Sequence, residues 1–376
     1  MKIEHEKRKR KKKIIFFSLV LLIIISVFLI GAYSEFRFKI SKDLAKLMPS
    51  DLRSVLEKKL YVDNTIENLI KIEPKYSYNG DYDLFIKNFE EYKYKSIGFP
   101  ITNYNALMNS DKLGEIIIIN SYNIGDIEIS NIKFPVVGEY LPGLIVRKKN
   151  QPINKVVIVV PGVPEEKNPL DDVIDKDSYE KGIALELAKE NYTVFVPGLR
   201  GYNTGMDAVF FDEIVSMYSL SWLGFVASDA LMLRNHIADK YNINPGEIGF
   251  VGISAGGAVS MFALAIDKDV PFAVINSFFG SFDYNFVKEK HSSLGRVNNV
   301  LNYFNMKDFL IAGFPRKIIV INGEFDSVSA SNAKKEFESV KSFYEENNNP
   351  NAFFYSSKQT KHEYDIPLIK KILREI

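Results

Sequence analysis

The chain has 376 residues, enough for one large domain or two modest ones with substantial cores. Its net charge is +1 and 46% of its residues are hydrophobic, so its composition is that of an ordinary globular protein and does not point to nucleic acid or an acidic partner. It contains no cysteine, which excludes disulfides, thiolate catalysis and zinc–thiolate sites.

The N-terminus predicts a membrane anchor. Residues 7–13 are all basic, and residues 14–33 follow without a charged side chain. About twenty apolar residues suffice for a helix to cross a bilayer. The positive-inside rule then places the tail, 1–13, in the cytoplasm and the rest of the chain on the outer, periplasmic or extracellular side. A cleaved signal peptide is the alternative, because residues 32–34 would suit cleavage, although the apolar run is longer than usual for one.

Residues 34–112 carry no recognisable chemistry. Leucines and a valine recur at helical spacing within 42–60, and a second helical patch lies near 82–94. We therefore expect a mostly helical juxtamembrane region that packs partly on the main domain, which is predicted to span 113–376.

From Gly114 onward, strand patterns predominate. Strands are predicted at 116–119, 127–134, 143–147, 155–160, 192–196, 248–251, 273–276, 317–322 and 352–355. Helices are predicted at 179–189, 222–241, 258–266, 330–346 and 366–375. This alternation predicts an α/β fold: a mostly parallel central sheet with helices on both faces and antiparallel strands at one edge.

The central motif is a serine in a tight turn. Residues 252–256 read Gly-Ile-Ser-Ala-Gly, between the predicted strand 248–251 and the predicted helix 258–266. Glycines permit a turn that a Cβ would obstruct. Such a turn exposes the hydroxyl of Ser254 beside a helix N-terminus, whose amides can stabilise an anion.

A serine nucleophile needs a base, for which histidine is the expected residue. The chain has four histidines. His5 lies in the basic tail, His236 lies within a predicted helix, and His291 lies in an irregular stretch. His362 follows the last predicted strand in a loop, and we therefore predict that it is the base.

The base in turn needs an acid that fixes its tautomer and stabilises the imidazolium. Asp326 lies just beyond the predicted strand 317–322, at the sheet edge where catalytic groups collect in parallel sheets. Glu324, in the same loop, and Asp283 are competing candidates. We favour Asp326.

The order Ser, Asp, His, each after a strand, resembles that of the α/β-hydrolase superfamily. The resemblance covers about residues 127–376 and is closest to the prolyl-oligopeptidase, dienelactone-hydrolase and acetyl-esterase branch. It rests on the edge strands before 156–160, the Arg200-Gly201-Tyr202 turn, residues 252–257, residues 323–326 and His362.

This resemblance implies catalysis through an acyl-enzyme. Ser254 would attack a carbonyl carbon, and His362 would act first as general base and then as general acid. Asp326 would orient the histidine. The resemblance assigns the Arg200-Gly201 turn a structural part.

The resemblance also implies an oxyanion hole of two backbone amides. One is that of Ala255, directly after the nucleophile, and we expect the second to be that of Val163. Many relatives carry His-Gly-Gly or His-Gly in the second loop, whereas this chain reads Pro161-Gly162-Val163. Residues 278–314 lie where such folds insert a lid, and their aromatic side chains would either line an acyl pocket or form the core of the lid.

We therefore predict a membrane-anchored serine hydrolase that cleaves a small-molecule or lipid-like carboxylic ester, or else a thioester or amide. A serine peptidase of the prolyl-oligopeptidase type is one alternative, although residues 34–112 are too few for the β-propeller that usually accompanies it. A non-catalytic binding or scaffold protein of the cell envelope is another. The sequence carries no metal-ligand cluster, phosphate-binding glycine loop or nucleic-acid motif, so no cofactor, metal or nucleic-acid partner is predicted.

Overall fold

A computed structural model describes residues 73–108, 114–164, 168–202, 207–289, 293–328 and 330–376. The chain divides into two compact units, Met1–Lys71 and Ile72–Ile376, and all described residues belong to the second. The predicted basic tail 1–13 and transmembrane helix 14–33 therefore lie outside the described residues. Within the described ranges, no helix combines the length and apolar character needed to cross a membrane.

Nine strands of the described chain form one sheet. They are β1 (Ile117–Ile124), β2 (Ile127–Val136), β3 (Glu139–Lys148), β4 (Val156–Val160), β5 (Thr193–Pro197), β6 (Gly249–Ile253), β7 (Phe272–Asn276), β8 (Lys317–Gly323) and β9 (Phe353–Lys358). Their spatial order is β1-β2-β3-β5-β4-β6-β7-β8-β9. The pairs β1–β2, β2–β3 and β3–β5 are antiparallel, and all other neighbours are parallel. The predicted parallel sheet with an antiparallel edge is confirmed.

Helices connect the strands. They are α1 (Tyr82–Ile97), α2 (Ile101–Met108), α3 (Pro169–Asp172), α4 (Ile183–Lys189), α5 (Ala208–Ser216), α6 (Trp222–Tyr241), α7 (Ala255–Ile266), α8 (Met306–Ala312), α9 (Ala330–Glu346) and α10 (Ile366–Arg374). The region between β7 and α8 holds a π-helix at Asp283–Lys288 and short 3-10 turns.

The strands at the middle of the sheet are buried on both faces. In β4, Val157 and Val159 belong to one hydrophobic cluster, whereas Val156, Ile158 and Val160 belong to the cluster on the opposite face. Because successive side chains of a strand point to opposite faces, a strand covered by helices on both sides must be apolar throughout. This explains why the central strands are continuous apolar runs.

The described part of the predicted juxtamembrane region is packed into the second unit. In α1, Phe85, Phe89 and Ile97 are buried in the core. The hydroxyl of Ser221 donates a hydrogen bond of 2.6 Å to the carbonyl oxygen of Ile97, at the end of the helix. The compact unit thus begins earlier in the chain than the hydrolase domain predicted from residue 113.

Four helices were not predicted, namely α2, α3, α5 and α8. In α5, Val209 and Phe210 are 42% and 54% exposed, so apolar residues lie on its outer as well as its inner side and no amphipathic period emerges. By contrast, α8 is almost entirely buried. The helix predicted at 179–189 begins only at Ile183, because the preceding Gly182 takes a left-handed conformation with φ of 61°.

The Arg200 turn is held by a buried ionic network. The guanidinium of Arg200 binds the Asp229 carboxylate through Nε at 2.7 Å and Nη2 at 2.9 Å. It also donates through Nη1 to Glu139 at 2.7 Å and through Nη2 to the Val137 carbonyl oxygen at 3.1 Å. The side chains of Arg200 and Asp229 are only 6% and 2% exposed. The contacts agree with the structural part predicted for this turn.

Replacing Asp229 with alanine is expected to lower the free energy of unfolding by about 3–5 kcal/mol, because the buried guanidinium would lose its main counter-charge. Glu139→Ala is the matched control, since Glu139 binds the same guanidinium but is 38% exposed, and a loss of about 1 kcal/mol or less is expected. Urea unfolding followed by circular dichroism would measure both. Equal losses of unfolding free energy in the two variants would show that the buried Asp229 carboxylate matters no more than the partly exposed Glu139.

Candidate active site

Ser254 lies in a tight turn between β6 and α7. Its backbone has φ of 55° and ψ of −122°, a conformation that costs a non-glycine residue about 1–3 kcal/mol. The turn requires glycine on both sides: a Cβ on Gly252 would overlap the carbonyl oxygen of Gly256, and a Cβ on Gly256 would overlap that of Val160. The serine therefore sits at the carboxyl end of β6, directly before the N-terminus of a helix.

The structure brings His362 and Asp326 together. Asp326 follows β8, His362 lies between β9 and α10, and His362 Nδ1 is 2.7 Å from Asp326 Oδ1. The Asp326 side chain is fully buried, whereas that of His362 is 28% exposed. A histidine that binds a carboxylate through Nδ1 exchanges protons with a nucleophile through its other ring nitrogen, Nε2.

The surroundings of the Asp326 carboxylate favour its ionised form. Burial alone would raise its pKa, but the hydrogen bond from His362, the charge of that ring and the bond from the backbone amide of Val328 together lower the pKa below its usual value of 3.8. The Val328 amide donates to Oδ1 at 3.0 Å. A carboxylate that remains charged at neutral pH can fix the histidine tautomer.

The competing candidates differ from these residues in their surroundings. Glu324 is exposed, and Asp283 accepts a hydrogen bond of 2.9 Å from Asn305. His236 is buried, and its Nε2 lies 3.1 Å from the carbonyl oxygen of Pro135. His5 and His291 lie outside the described residues.

Backbone hydrogen bonds join the loops that carry these side chains. In the Asp326 loop, the Glu324 amide donates to the carbonyl oxygen of Lys358, the last residue of β9, at 2.7 Å, and the Phe325 amide donates to that of Thr360, on the His362 loop, at 3.0 Å. A second link runs through β7.

This second link centres on Asn276. The Ser254 amide donates to the Asn276 carbonyl oxygen at 2.9 Å, and the Asn276 side chain donates to the Glu363 carbonyl oxygen at 3.1 Å. The serine turn and the histidine loop are thus anchored to the same residue at the same edge of the sheet.

The predicted oxyanion hole consists of the backbone amides of Ala255 and Val163. Ala255 is the first residue of α7, where helix amides lack intrahelical acceptors. The loop after β4 lies against the nucleophile, since a Cβ on Gly162 would be 3.2 Å from the Cβ of Ser254. Among the described residues, the neighbouring Val163 amide has no hydrogen-bond acceptor.

Comparisons with known proteins give structural neighbours only. No protein-family model matches the chain, and no curated protein matches it. A candidate acetyl xylan esterase from Bacteroides fragilis aligns with a TM-score of 0.65 at 14% identity, covering 85% of this chain and 94% of that one. The chain has an α/β-hydrolase fold.

Two further solved structures share this α/β-hydrolase fold. A methylesterase aligns with a TM-score of 0.59 at 12% identity over 85% of this chain and 68% of that one. A glucuronoyl esterase from Solibacter usitatus aligns with a TM-score of 0.54 at 11% identity over 71% of this chain and 86% of that one. At such low identity, the likeness concerns the fold rather than the substrate.

Two residues beside the site were missed by sequence reasoning. Glu180 is fully buried and accepts a hydrogen bond of 2.9 Å from the Gly162 amide. Tyr179 donates from its hydroxyl to the Val163 carbonyl oxygen at 2.9 Å. Its ring centroid lies 5.8 Å from that of His362. An acid near the start of a helical pattern resembles an exposed first-turn residue, so no sequence pattern indicates that Glu180 faces inward.

Burial raises the pKa of the Glu180 carboxyl well above its ordinary range, and the negative charge of Asp172 adds to this, whereas hydrogen bonds from the Gly162 amide and the Tyr179 hydroxyl oppose it. In the unfolded chain Glu180 ionises near pH 4.5. Above that pH the folded state holds a proton that the unfolded state has released, so this carboxyl makes stability fall as pH rises toward the folded pKa.

Glu180→Gln removes this titration and keeps a hydrogen-bond acceptor. We expect its stability relative to the wild type to increase with pH above about 4.5, by about 1.4 kcal/mol per pH unit until the folded pKa is reached. Urea unfolding of both proteins at pH 5, 6, 7 and 8 would measure the difference. A difference that stays constant across this range would contradict the buried, protonated carboxyl.

The aromatic side chains of the predicted lid region, 278–314, are mostly buried. Phe279, Phe282 and Phe304 are at most 2% exposed, and Phe282 packs on Phe262 of α7 and Phe309 of α8. Of the two roles left open for these rings, the packing favours a core over the lining of an acyl pocket.

A separate cavity of about 520 Å³ lies beside α4 and α10. It is lined by Lys176, Lys181, Glu186, Ile366, Pro367, Lys370 and Arg374. Lys370 pairs with Glu186 at 2.7 Å, and Arg374 pairs with Glu190 at 2.6 Å. Its lining includes none of the three predicted catalytic residues, so we assign it no part in the chemistry.

Proposed function

We propose that the protein is a serine hydrolase that cleaves carboxylic esters through an acyl-enzyme on Ser254. The observation that carries this proposal is the 2.7 Å hydrogen bond between His362 and Asp326, at the sheet edge where the strained Ser254 turn also lies. The linked loops support it, because they hold serine and histidine to a common residue, Asn276.

In this mechanism His362 Nε2 takes the hydroxyl proton as the Ser254 oxygen attacks the ester carbonyl carbon. The amides of Ala255 and Val163 stabilise the negative charge that develops on the carbonyl oxygen. The imidazolium, stabilised by Asp326, then gives its proton to the departing alcohol, leaving the acyl group on the serine. A water molecule then attacks the acyl carbon while His362 takes one of its protons. The imidazolium gives that proton to the Ser254 oxygen, which releases the carboxylic acid and restores the serine.

Esters are favoured over amides as the substrate class. Three of the structural neighbours are described as esterases, which supports carboxylic ester cleavage for this chain. A peptidase of the prolyl-oligopeptidase type has no comparable observation in its favour.

We also propose that the apolar run 14–33 anchors the enzyme in a membrane with the hydrolase unit on the outer side. The uncharged length of this run and the basic residues 7–13 before it support that orientation. Protease treatment of intact cells, with and without permeabilisation, tests it. Digestion of the hydrolase unit in intact cells is expected, and protection until permeabilisation would overturn the proposed orientation.

Activity is tested with the full-length protein in detergent, using a fluorophosphonate probe and p-nitrophenyl esters of increasing acyl length. We expect labelling and ester hydrolysis by the wild type, and loss of both in Ser254→Ala. A folded wild type that neither reacts with the probe nor hydrolyses any ester would overturn the proposed function.

A further inference from the structure

Residues 161–164, which follow β4, pass directly beside the nucleophile, and their geometry depends on a glycine. Gly162 lies between Tyr179 on one side and Ser254 on the other, with no room for a Cβ. Glycine permits many backbone conformations at little cost. The segment around the Gly162–Val163 peptide could therefore shift and carry the Val163 amide away from the site, unless other groups hold it.

Two consecutive side chains hold the peptide units on either side of the Gly162–Val163 peptide. The Glu180 carboxyl accepts from the Gly162 amide at 2.9 Å, and the Tyr179 hydroxyl donates to the Val163 carbonyl oxygen at 2.9 Å. The Val163 amide lies between these two bonds and has no acceptor of its own among the described residues. We name Tyr179 and Glu180 together the loop clamp.

The loop clamp costs stability, which argues against a merely structural part. Glu180 is fully buried, and its second oxygen, Oε2, has no hydrogen-bond partner in the described chain. Burying a carboxyl with an unsatisfied oxygen is unfavourable, and an apolar side chain of similar volume usually serves stability better. A glutamate in this place therefore calls for another explanation, and the loop segment that it holds through the Gly162 amide offers one.

We propose that Tyr179 and Glu180 are positioning residues that hold the peptide units on either side of the Gly162–Val163 peptide and so keep the Val163 amide facing the developing oxyanion. This inference rests on the proposed function, because it assigns the clamp to the transition state of the same acyl transfer. Neither residue touches the reacting atoms. They act by keeping one donor of the oxyanion hole in place before the reaction begins.

Three variants of the full-length protein test the clamp. Glu180→Leu removes the acceptor, and we expect kcat to fall about tenfold to hundredfold, somewhat less than the loss when an oxyanion donor is deleted outright. Glu180→Gln keeps an acceptor and should restore kcat to within about threefold of the wild type. Tyr179→Phe keeps the ring beside His362 but loses the bond to Val163, and a fall of about fivefold is expected.

Transition-state binding distinguishes positioning from a general structural effect. The affinity for a trifluoromethyl ketone, which forms a tetrahedral adduct on serine, should fall in proportion to kcat/KM, while KM for the ester changes by less than about twofold. Tyr192→Phe is the matched control, because Tyr192 donates a comparable hydroxyl bond of 2.6 Å to the Leu373 carbonyl oxygen and is not part of the clamp. Its kcat per labelled site should equal that of the wild type.

The outcomes separate this inference from the proposed function. A wild type that fails to react with fluorophosphonate or hydrolyse esters overturns both. An active wild type whose Glu180→Leu and Tyr179→Phe variants keep kcat within about twofold overturns the clamp alone. If Glu180→Leu does not fold, Tyr179→Phe alone tests the clamp, since it removes only the Tyr179 hydroxyl group.

Discussion

Ser254→Ala is expected to lower kcat for ester hydrolysis by about 10⁶, because no other group can form the covalent intermediate. The residual rate should still exceed that in water, since the amides of Ala255 and Val163 would continue to stabilise the oxyanion. Hydrolysis of a p-nitrophenyl ester, followed at substrate concentrations well above KM, measures the loss. Fluorophosphonate labelling should vanish in the same variant.

Ser342→Ala serves as the control for this substitution. Ser342 lies on the exposed side of α9, where its hydroxyl donates to the Glu338 carbonyl oxygen at 3.0 Å. This variant should keep the wild-type rate and labelling. If labelling persisted in Ser254→Ala but was lost when another serine was replaced, that other serine would be the nucleophile.

Asp326→Asn is expected to lower kcat by about 10⁴ with little change in KM. An asparagine at this position would present the wrong hydrogen-bonding group to His362 Nδ1 and would remove the charge that stabilises the imidazolium. Because burial and hydrogen bonding together lower the pKa of Asp326, the wild-type carboxylate stays ionised down to below about pH 4. The defect of the asparagine variant should therefore be present throughout the neutral range, as a series of kcat values from pH 6 to 9 would show.

Glu324→Gln separates the two acids of this loop. Glu324 is exposed and lies only two positions from Asp326, so its neutralisation tests the effect of a charge in the loop without touching the histidine. We expect kcat within about twofold of the wild type. If kcat fell strongly in Glu324→Gln and only mildly in Asp326→Asn, Glu324 rather than Asp326 would be the acid that orients His362.

Much of the fold could be predicted because burial on both faces leaves a simple pattern. The central strand β4 is apolar at every position, and its bounds were predicted to within one residue. The helix α6 was predicted at its observed bounds, although its burial is extensive. In contrast, α5 has apolar residues on both sides and α8 is nearly all buried, so neither shows the one-sided spacing by which a helix is predicted.

The candidate site divides in the same way. Ser254, Asp326 and His362 could be proposed because each follows a strand, and loops after parallel strands share one edge of the sheet. The loop clamp could not be predicted, because it depends on the residue at which α4 begins. The left-handed Gly182 delays that helix, and Glu180 consequently lies in a turn facing the core instead of on a helix surface.

The position of β9 has a consequence for folding. His362 follows the last strand of the sheet, whereas Ser254 follows β6, and between them the chain must pair β7, β8 and β9 in parallel. Parallel pairing joins residues far apart in sequence, which makes it a slow part of assembly. A partially collapsed chain can contain the serine turn while lacking its base, so recovery of ester hydrolysis after dilution from denaturant reports the arrival of the C-terminal strand rather than the first burial of the core.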